Sequence, residues 1–227
     1  MQGLPGGGPC THRLWPLWDG GQWVYQWEGS DWPPATLSAA VQDASATATL
    51  TWGDASGTLR CTDEGFIGLP TLLVVHPDLG AGLVGEPLDG MFLPPPGELL
   101  PMGIETTWDA EYTLSGTLDL PSPTGAIPAV LESGRLVLVS RTLPPEAAVL
   151  PFGQVTALPV EQSTFIEAQI MLPGGALCGI TVDALTYLYF AEEIGLVRVR
   201  YEGGTIAGLP QGGVGLLGNL ALARSVP

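Results

Sequence analysis

The chain has no lysine. Its seven basic residues are all arginines and face 23 acidic ones, a formal net charge of −16 over 227 residues. Nucleic acid is excluded as a partner, because affinity for phosphate backbones comes mainly from Lys and Arg. Anionic membrane surfaces are disfavoured for the same reason, while cationic ligands or partners remain compatible. Long apolar runs are also missing. None approaches the ~18 residues of a membrane helix, and the longest, 72–75 and 216–223, are strand-sized or broken by Gly and polar residues. No transmembrane segment is expected. Met1 leads straight into QGLPGGGP, without a basic n-region or an apolar h-region. We expect an extracytoplasmic protein, of periplasm or cell surface, whose export signal is not in this sequence.

Chemistry-bearing motifs are equally sparse. The only histidines are His12 and His76, and no CxxC pair accompanies them, so no metal site is expected. There is no G-x-S-x-G elbow, P-loop or GxGxxG fingerprint ahead of a helix. No cofactor and no catalytic residue is expected, and the protein reads as a non-enzyme. The acidic pairs Asp63–Glu64 and Glu192–Glu193, and Asp109 with Glu111 on one strand face, read as solvated strand-end charges. Any of them fits the carboxylate spacing of a glycosidase equally well, so none singles one out.

What the chain does have is glycine, proline and tryptophan. Gly 32 and Pro 22 make up about a quarter of it. They are spread as turn punctuation between apolar runs, the mark of an all-β protein. No convincing amphipathic helix of ten residues is present. Five of the seven tryptophans crowd residues 14–32, LWPLWDGGQWVYQWEGSDW. After the Gly20–Gly21 turn, Trp23, Tyr25 and Trp27 share one face of an extended chain, because strand side chains alternate. This face reads as core or as a ligand wall. Trp15, Trp18 and Trp32 stand in loop-like sequence and read as a patch for a protein partner.

Taken in order, residues 1–13 read as a flexible Gly/Pro leader. A single β domain spans 14–227: half one over 14–76, a Pro/Gly connector over 77–103 centred on Pro94–Pro96, and half two over 104–227. Strands are predicted at 22–28, 35–43, 46–52, 58–62, 66–69, 71–76, 106–120, 127–131, 135–141, 163–172, 177–183, 185–191 and 195–201, with a hairpin around 132–134 and a tail from 205 that closes the sheet. The halves share a sparse pattern. Pro16 precedes Trp23 by seven residues and Trp27 by eleven, as Pro101 precedes Trp108 and Tyr112. Cys10 and Cys61 are a candidate disulfide that would pin the leader to the first sheet. The alternative is three buried or inert thiols, Cys178 included.

PLWDGGQWVYQWEG resembles the "P-L-x-x-G-x-x-W-x-Y" start of mature domains in bacterial envelope lipoproteins. YLYFAEEIGLVRVRYEG resembles their C-terminal signature at Tyr187, Tyr189, Phe190, Gly195, Leu196 and Val197. PVEQSTFIEAQIML is similar to an internal strand at Thr164, Phe165 and Ala168. Cys10 follows Gly-Gly-Pro and lacks a usable lipobox. The resemblance to the lipoprotein-carrier (LolA/LppX-like) half-barrel superfamily implies a curved antiparallel sheet whose concave apolar face holds lipid or is plugged by the protein's own segments.

The fold class expected is therefore all-β: a curved antiparallel sheet or half-barrel with two sequence-related halves and little helix. The expected function is binding of an apolar, lipid-like ligand, or service as an envelope module. Trp23, Trp27, Trp108, Tyr187 and Tyr189 would be wall residues. The alternatives are an interaction subunit docking through its Trp-rich patch and a carbohydrate-binding module.

Overall fold

The computed structural model describes residues 10–27, 34–42, 45–52, 55–70, 82–122, 125–208 and 218–226. Two short strands, β1 (Thr11–His12) and β2 (Trp15–Pro16), pair with each other ahead of the main sheet. Among the described residues the sheet has thirteen strands: β3 (Gln22–Trp27), β4 (Ala35–Gln42), β5 (Thr47–Trp52), β6 (Ala55–Thr62), β7 (Gly65–Ile67), β8 (Gly82–Gly90), β9 (Thr107–Ser122), β10 (Gly125–Thr142), β11 (Glu146–Leu150), β12 (Gly153–Met171), β13 (Leu177–Ala191), β14 (Gly195–Ala207) and β15 (Gly218–Val226). The described helix is a single turn, α1 (Pro96–Leu99), with proline at its start, where a missing N–H costs nothing. The fold is all-β and antiparallel, as the turn-punctuated composition requires.

Strand order explains the shape. Along the sheet it runs β7-β6-β5-β4-β3-β15-β14-β13-β12-β10-β9-β8, with β11 attached to β12. Each half is an up-and-down meander, and the C-terminal strand β15 joins them by pairing β14 on one side and β3 on the other. The two strands left at the edges, β7 and β8, are consecutive among the described strands. Bringing them together would complete a ring. The segment that follows β8 reaches β7 at one point: Phe66 bridges Leu93, Phe66 N–H donating to Leu93 O at 2.8 Å and Phe92 N–H to Phe66 O at 2.8 Å. Glycines permit the approach. A Cβ at Gly65 would collide with Leu93 O, and one at Gly85 with the Leu69 side chain.

Alternation sets the two faces. Along β12, Gln162, Thr164, Ile166, Ala168 and Ile170 are buried, while Ser163, Phe165, Glu167 and Gln169 are exposed. The inner face belongs to the core, with Trp23, Tyr25, Leu37, Leu50, Leu59, Tyr112, Leu136, Leu138 and Val199. Buried tyrosines spend their hydroxyls on backbone oxygens: Tyr25 donates to Leu196 O at 2.9 Å and Tyr112 to Gly68 O at 3.0 Å. Burial raises the pKa of both phenols.

Several boundaries differ from expectation. Residues 10–13 of the predicted leader are part of the fold: Cys10 and His12 are buried and β1 lies here, while residues 1–9 lie outside the described residues. The connector expected over 77–103 contains a strand, β8, despite Gly85 and Pro87 in its interior. As an edge strand β8 pairs on one side only, which leaves room for a residue without an N–H, and its register shifts between Pro87 and Asp89. The hairpin predicted around 132–134 is instead a bulge in the continuous strand β10, whose pairing with both neighbours skips at Leu131. The predicted strand at 71–76 lies outside the described residues.

Candidate functional site

The outer face of β10, β12, β13 and β14 carries apolar residues where its neighbours are polar. Cross-strand register aligns Val139, Ser163, Leu185 and Gly203 in one row and Val137, Phe165, Asp183 and Thr205 in the next. Val139 is 48% and Phe165 38% exposed. These rows line a shallow groove of about 470 Å³ with Glu202 at its rim. A second groove, of about 620 Å³, shares the same four strands and is lined by Arg135, Glu167, Thr181, Gly179 and Ala207.

An ion-pair row borders the apolar rows. Arg141, Glu161, Tyr187 and Arg200 stand opposite one another on adjacent strands. Arg141 Nε donates to Glu161 Oε1 at 2.7 Å, and the Tyr187 hydroxyl donates to Glu161 Oε2 at 3.0 Å. The Arg200 guanidinium lies 4.3 Å from the Tyr187 ring centroid and pairs with Glu202 at 2.7 Å. Arg198 stacks over Tyr189 at 5.6 Å. On the other flank Arg135 makes a two-pronged contact with Glu111, at 2.6 and 2.8 Å. The arginines hold Glu161 and Glu111 below the usual carboxylate range, through hydrogen bonds that outweigh desolvation. Burial, then the bond to Glu161, pushes the Tyr187 phenol up. Arginine charge on this face is largely neutralised in place, while Asp183 and Glu167 sit exposed in the grooves.

The five candidate wall residues do not form one wall. Trp23 is fully buried on the inner face. Trp108, half-buried on that face, donates its indole N–H to Phe92 O at 3.2 Å. Tyr187 and Tyr189 point to the opposite face, under the arginines. Trp27 lies in β3, but its side chain is outside the described residues.

The Trp patch is likewise divided. Trp15 is 0% exposed, against Phe66, Phe92 and Phe190 at 5.9–6.1 Å between ring centroids. It is core, not a partner surface, because β1 and β2 fold it into one end of the sheet. Trp18 is half-buried on Trp23, at 4.9 Å. Trp32 lies outside the described residues. Cys10 and Cys61 form a disulfide, with Cα atoms 5.1 Å apart, and Cys178 is free and half-buried.

Sequence reasoning missed the groove residues Val137, Val139, Phe165 and Leu185. A signal for them existed: Phe165 interrupts an otherwise polar face, Ser163, Glu167 and Gln169. Among the described residues no group of three His, Cys, Asp or Glu is placed to hold a metal ion. No described helix is long and apolar enough to cross a membrane.

No family model matches the chain, and no curated protein matches it. Two solved structures are similar to it. One is a protein described as exported, with a YmcC-like fold, from Bacteroides fragilis NCTC 9343: TM-score 0.48, 13% identity, covering 95% of this chain and 100% of the other. The second is a protein described as a lipoprotein, from Parabacteroides distasonis ATCC 8503: TM-score 0.44, 12% identity, covering 95% and 99%. At these values neither carries an argument.

Proposed function

We propose that the protein is a non-enzymatic, extracytoplasmic binding module that docks a cationic protein segment on the outer face of β10, β12, β13 and β14. The observation that carries this reading is the pair of adjoining grooves, one of them lined by Val139 and Phe165, which are exposed, and by Val137 and Leu185, which are half-buried. Exposed apolar surface set among polar residues is the usual mark of an interaction site. Charge selects the partner. The chain carries −16, and the grooves hold Asp183 and Glu167. A second copy of the chain or an anionic lipid surface would be repelled, and a basic segment attracted. The Cys10–Cys61 disulfide supports an oxidising compartment. The lipid-carrier reading is less favoured, because side chains of the protein itself occupy the inner face.

The test is a titration of the isotope-labelled full chain with an alternating lysine/valine decapeptide, followed by NMR. Saturable shifts centred on Val139, Phe165 and Asp183 are expected. Added salt should weaken them, and Phe165→Ser should cut affinity about tenfold, the effect of losing a central apolar anchor. Equal binding of a glutamate/valine decapeptide would overturn the cationic partner but leave the docking face. Absence of any shift in the grooves with either peptide would overturn the docking face itself.

A further inference from the structure

The inner face of the second half is not uniformly apolar. One cross-strand row reads Trp108, Ser140, Gln162, Thr186 and Tyr201 over β9, β10, β12, β13 and β14. Thr164 follows two residues along β12, opposite Leu138 and Ala184. Ser140, Gln162, Thr164 and Thr186 are each at most 2% exposed. Only one hydrogen bond joins them, from Gln162 Nε2 to Ser140 Oγ at 3.3 Å. Gln162 Oε1, Thr164 Oγ1 and Thr186 Oγ1 are buried and have no protein partner. Three such atoms side by side are not a scatter of isolated defects, since buried polar groups in folded proteins are almost always paired with protein or ordered water. Directly opposed strand residues carry their Cβ atoms ~5 Å apart, and alternate residues on one strand lie ~7 Å apart. The three oxygens therefore fall within reach of one or two small molecules bound between them.

We infer that this row is an internal site for small hydrogen-bonding guests, filled by ordered water in the ligand-free protein. Gln162 Oε1 can only accept, so its guest must donate. The two threonine hydroxyls can do either. Water supplies both roles, and buried waters typically make about three such bonds. An acyl chain supplies none and would leave all three oxygens unpaired, so the same row argues against this side of the interior as a lipid pocket. Trp108 and Tyr201 close the row at its two ends with rings.

The experiment is water-to-amide cross-relaxation NMR on the full chain. Long-lived water signals are expected at the amides of Gln162, Thr164 and Thr186. They should persist in Thr186→Ser, which keeps the hydroxyl, and vanish in the Thr164→Val/Thr186→Val double variant. Absence of bound water in the wild-type protein would overturn the inference without needing any variant to fold. So would native mass spectrometry and lipid extraction of gently purified protein, if they returned a stoichiometric acyl lipid whose binding the double variant improves.

Discussion

The sheet has two seams, and they are closed by different means. Where β15 lies between β14 and β3, closure is by backbone pairing on both sides, from Arg198 opposite Ala221 to Gln22 opposite Val226. At the β7 and β8 edges the backbone supplies a single bridge, from Phe66 of β7 to Leu93 in the segment after β8. Side chains hold the rest. Trp15 fills the space among Phe66, Phe92 and Phe190, and the disulfide ties Cys10 to β6. Tyr112 reaches across to Gly68 O, and His12 bonds Pro94 O at 2.8 Å. With only three residues, β7 cannot form a long ladder, so the N-terminal segment acts as the clasp. One seam draws its stability from many equivalent bonds, the other from a few side chains, each of which matters on its own.

That difference predicts unequal sensitivity. Removing Trp15 should have the largest effect. Trp15→Ala leaves a cavity at a fully buried site and should cost about 3–5 kcal/mol in urea unfolding. Hydrogen exchange should accelerate first in β6, β7 and β8, with β3, β14 and β15 protected until global unfolding. Uniform acceleration across both seams would break the comparison. Opening the disulfide should come next. It closes a 51-residue separation, for which chain entropy gives about 4 kcal/mol. Denaturation of the Cys10→Ser/Cys61→Ser variant against the oxidised wild type measures this. An unchanged midpoint would show that packing alone holds the clasp.

How legible the two seams were follows from the same physics. The β3 seam is written in local alternation. Trp23 and Tyr25 share a face, the apolar tail supplies a closing strand, and both signals lie within one strand's length. The clasp is not local. Trp15 sits in sequence that reads as loop, and its partners Phe66, Phe92 and Phe190 are scattered along the chain, so nothing near Trp15 marks it as core. β8 hides behind Gly and Pro for the reason that makes it an edge strand. The groove face was obscured by LTYLYFA in β13, where apolar residues on both sides mask which way Tyr187 and Tyr189 point. Only pairing with Glu161 and Pro159 on β12 assigns them to the outer face. The inner polar row was readable in principle, because Gln162, Thr164 and Thr186 fall at core positions of their strands. Without the register, however, they read as three unrelated polar residues.

Acid should loosen the clasp alone, by the smallest of the three effects. His12 accepts from Leu14 N–H through Nδ1 at 3.1 Å, so Nε2 carries the proton that meets Pro94 O. The neutral ring satisfies both neighbours; protonating Nδ1 would set two donors face to face. Burial lowers its pKa from the usual 6.5, opposed only in part by the Pro94 carbonyl. The sign follows from proton uptake. Below pH 6.5 the unfolded chain binds a proton that the folded chain refuses, so stability falls as pH drops from 6.5 toward the lowered folded value. Glu161 and Glu111, whose pKa values are held below 4.5 by arginine, add their own loss only under more acidic conditions. The two windows therefore separate. Between pH 6.5 and about 5, unfolding midpoints should fall in the wild type and stay level in His12→Gln, which retains a donor for Pro94 O but does not titrate. A decline of equal slope in both proteins would remove His12 from the account and leave the clasp insensitive to mild acid.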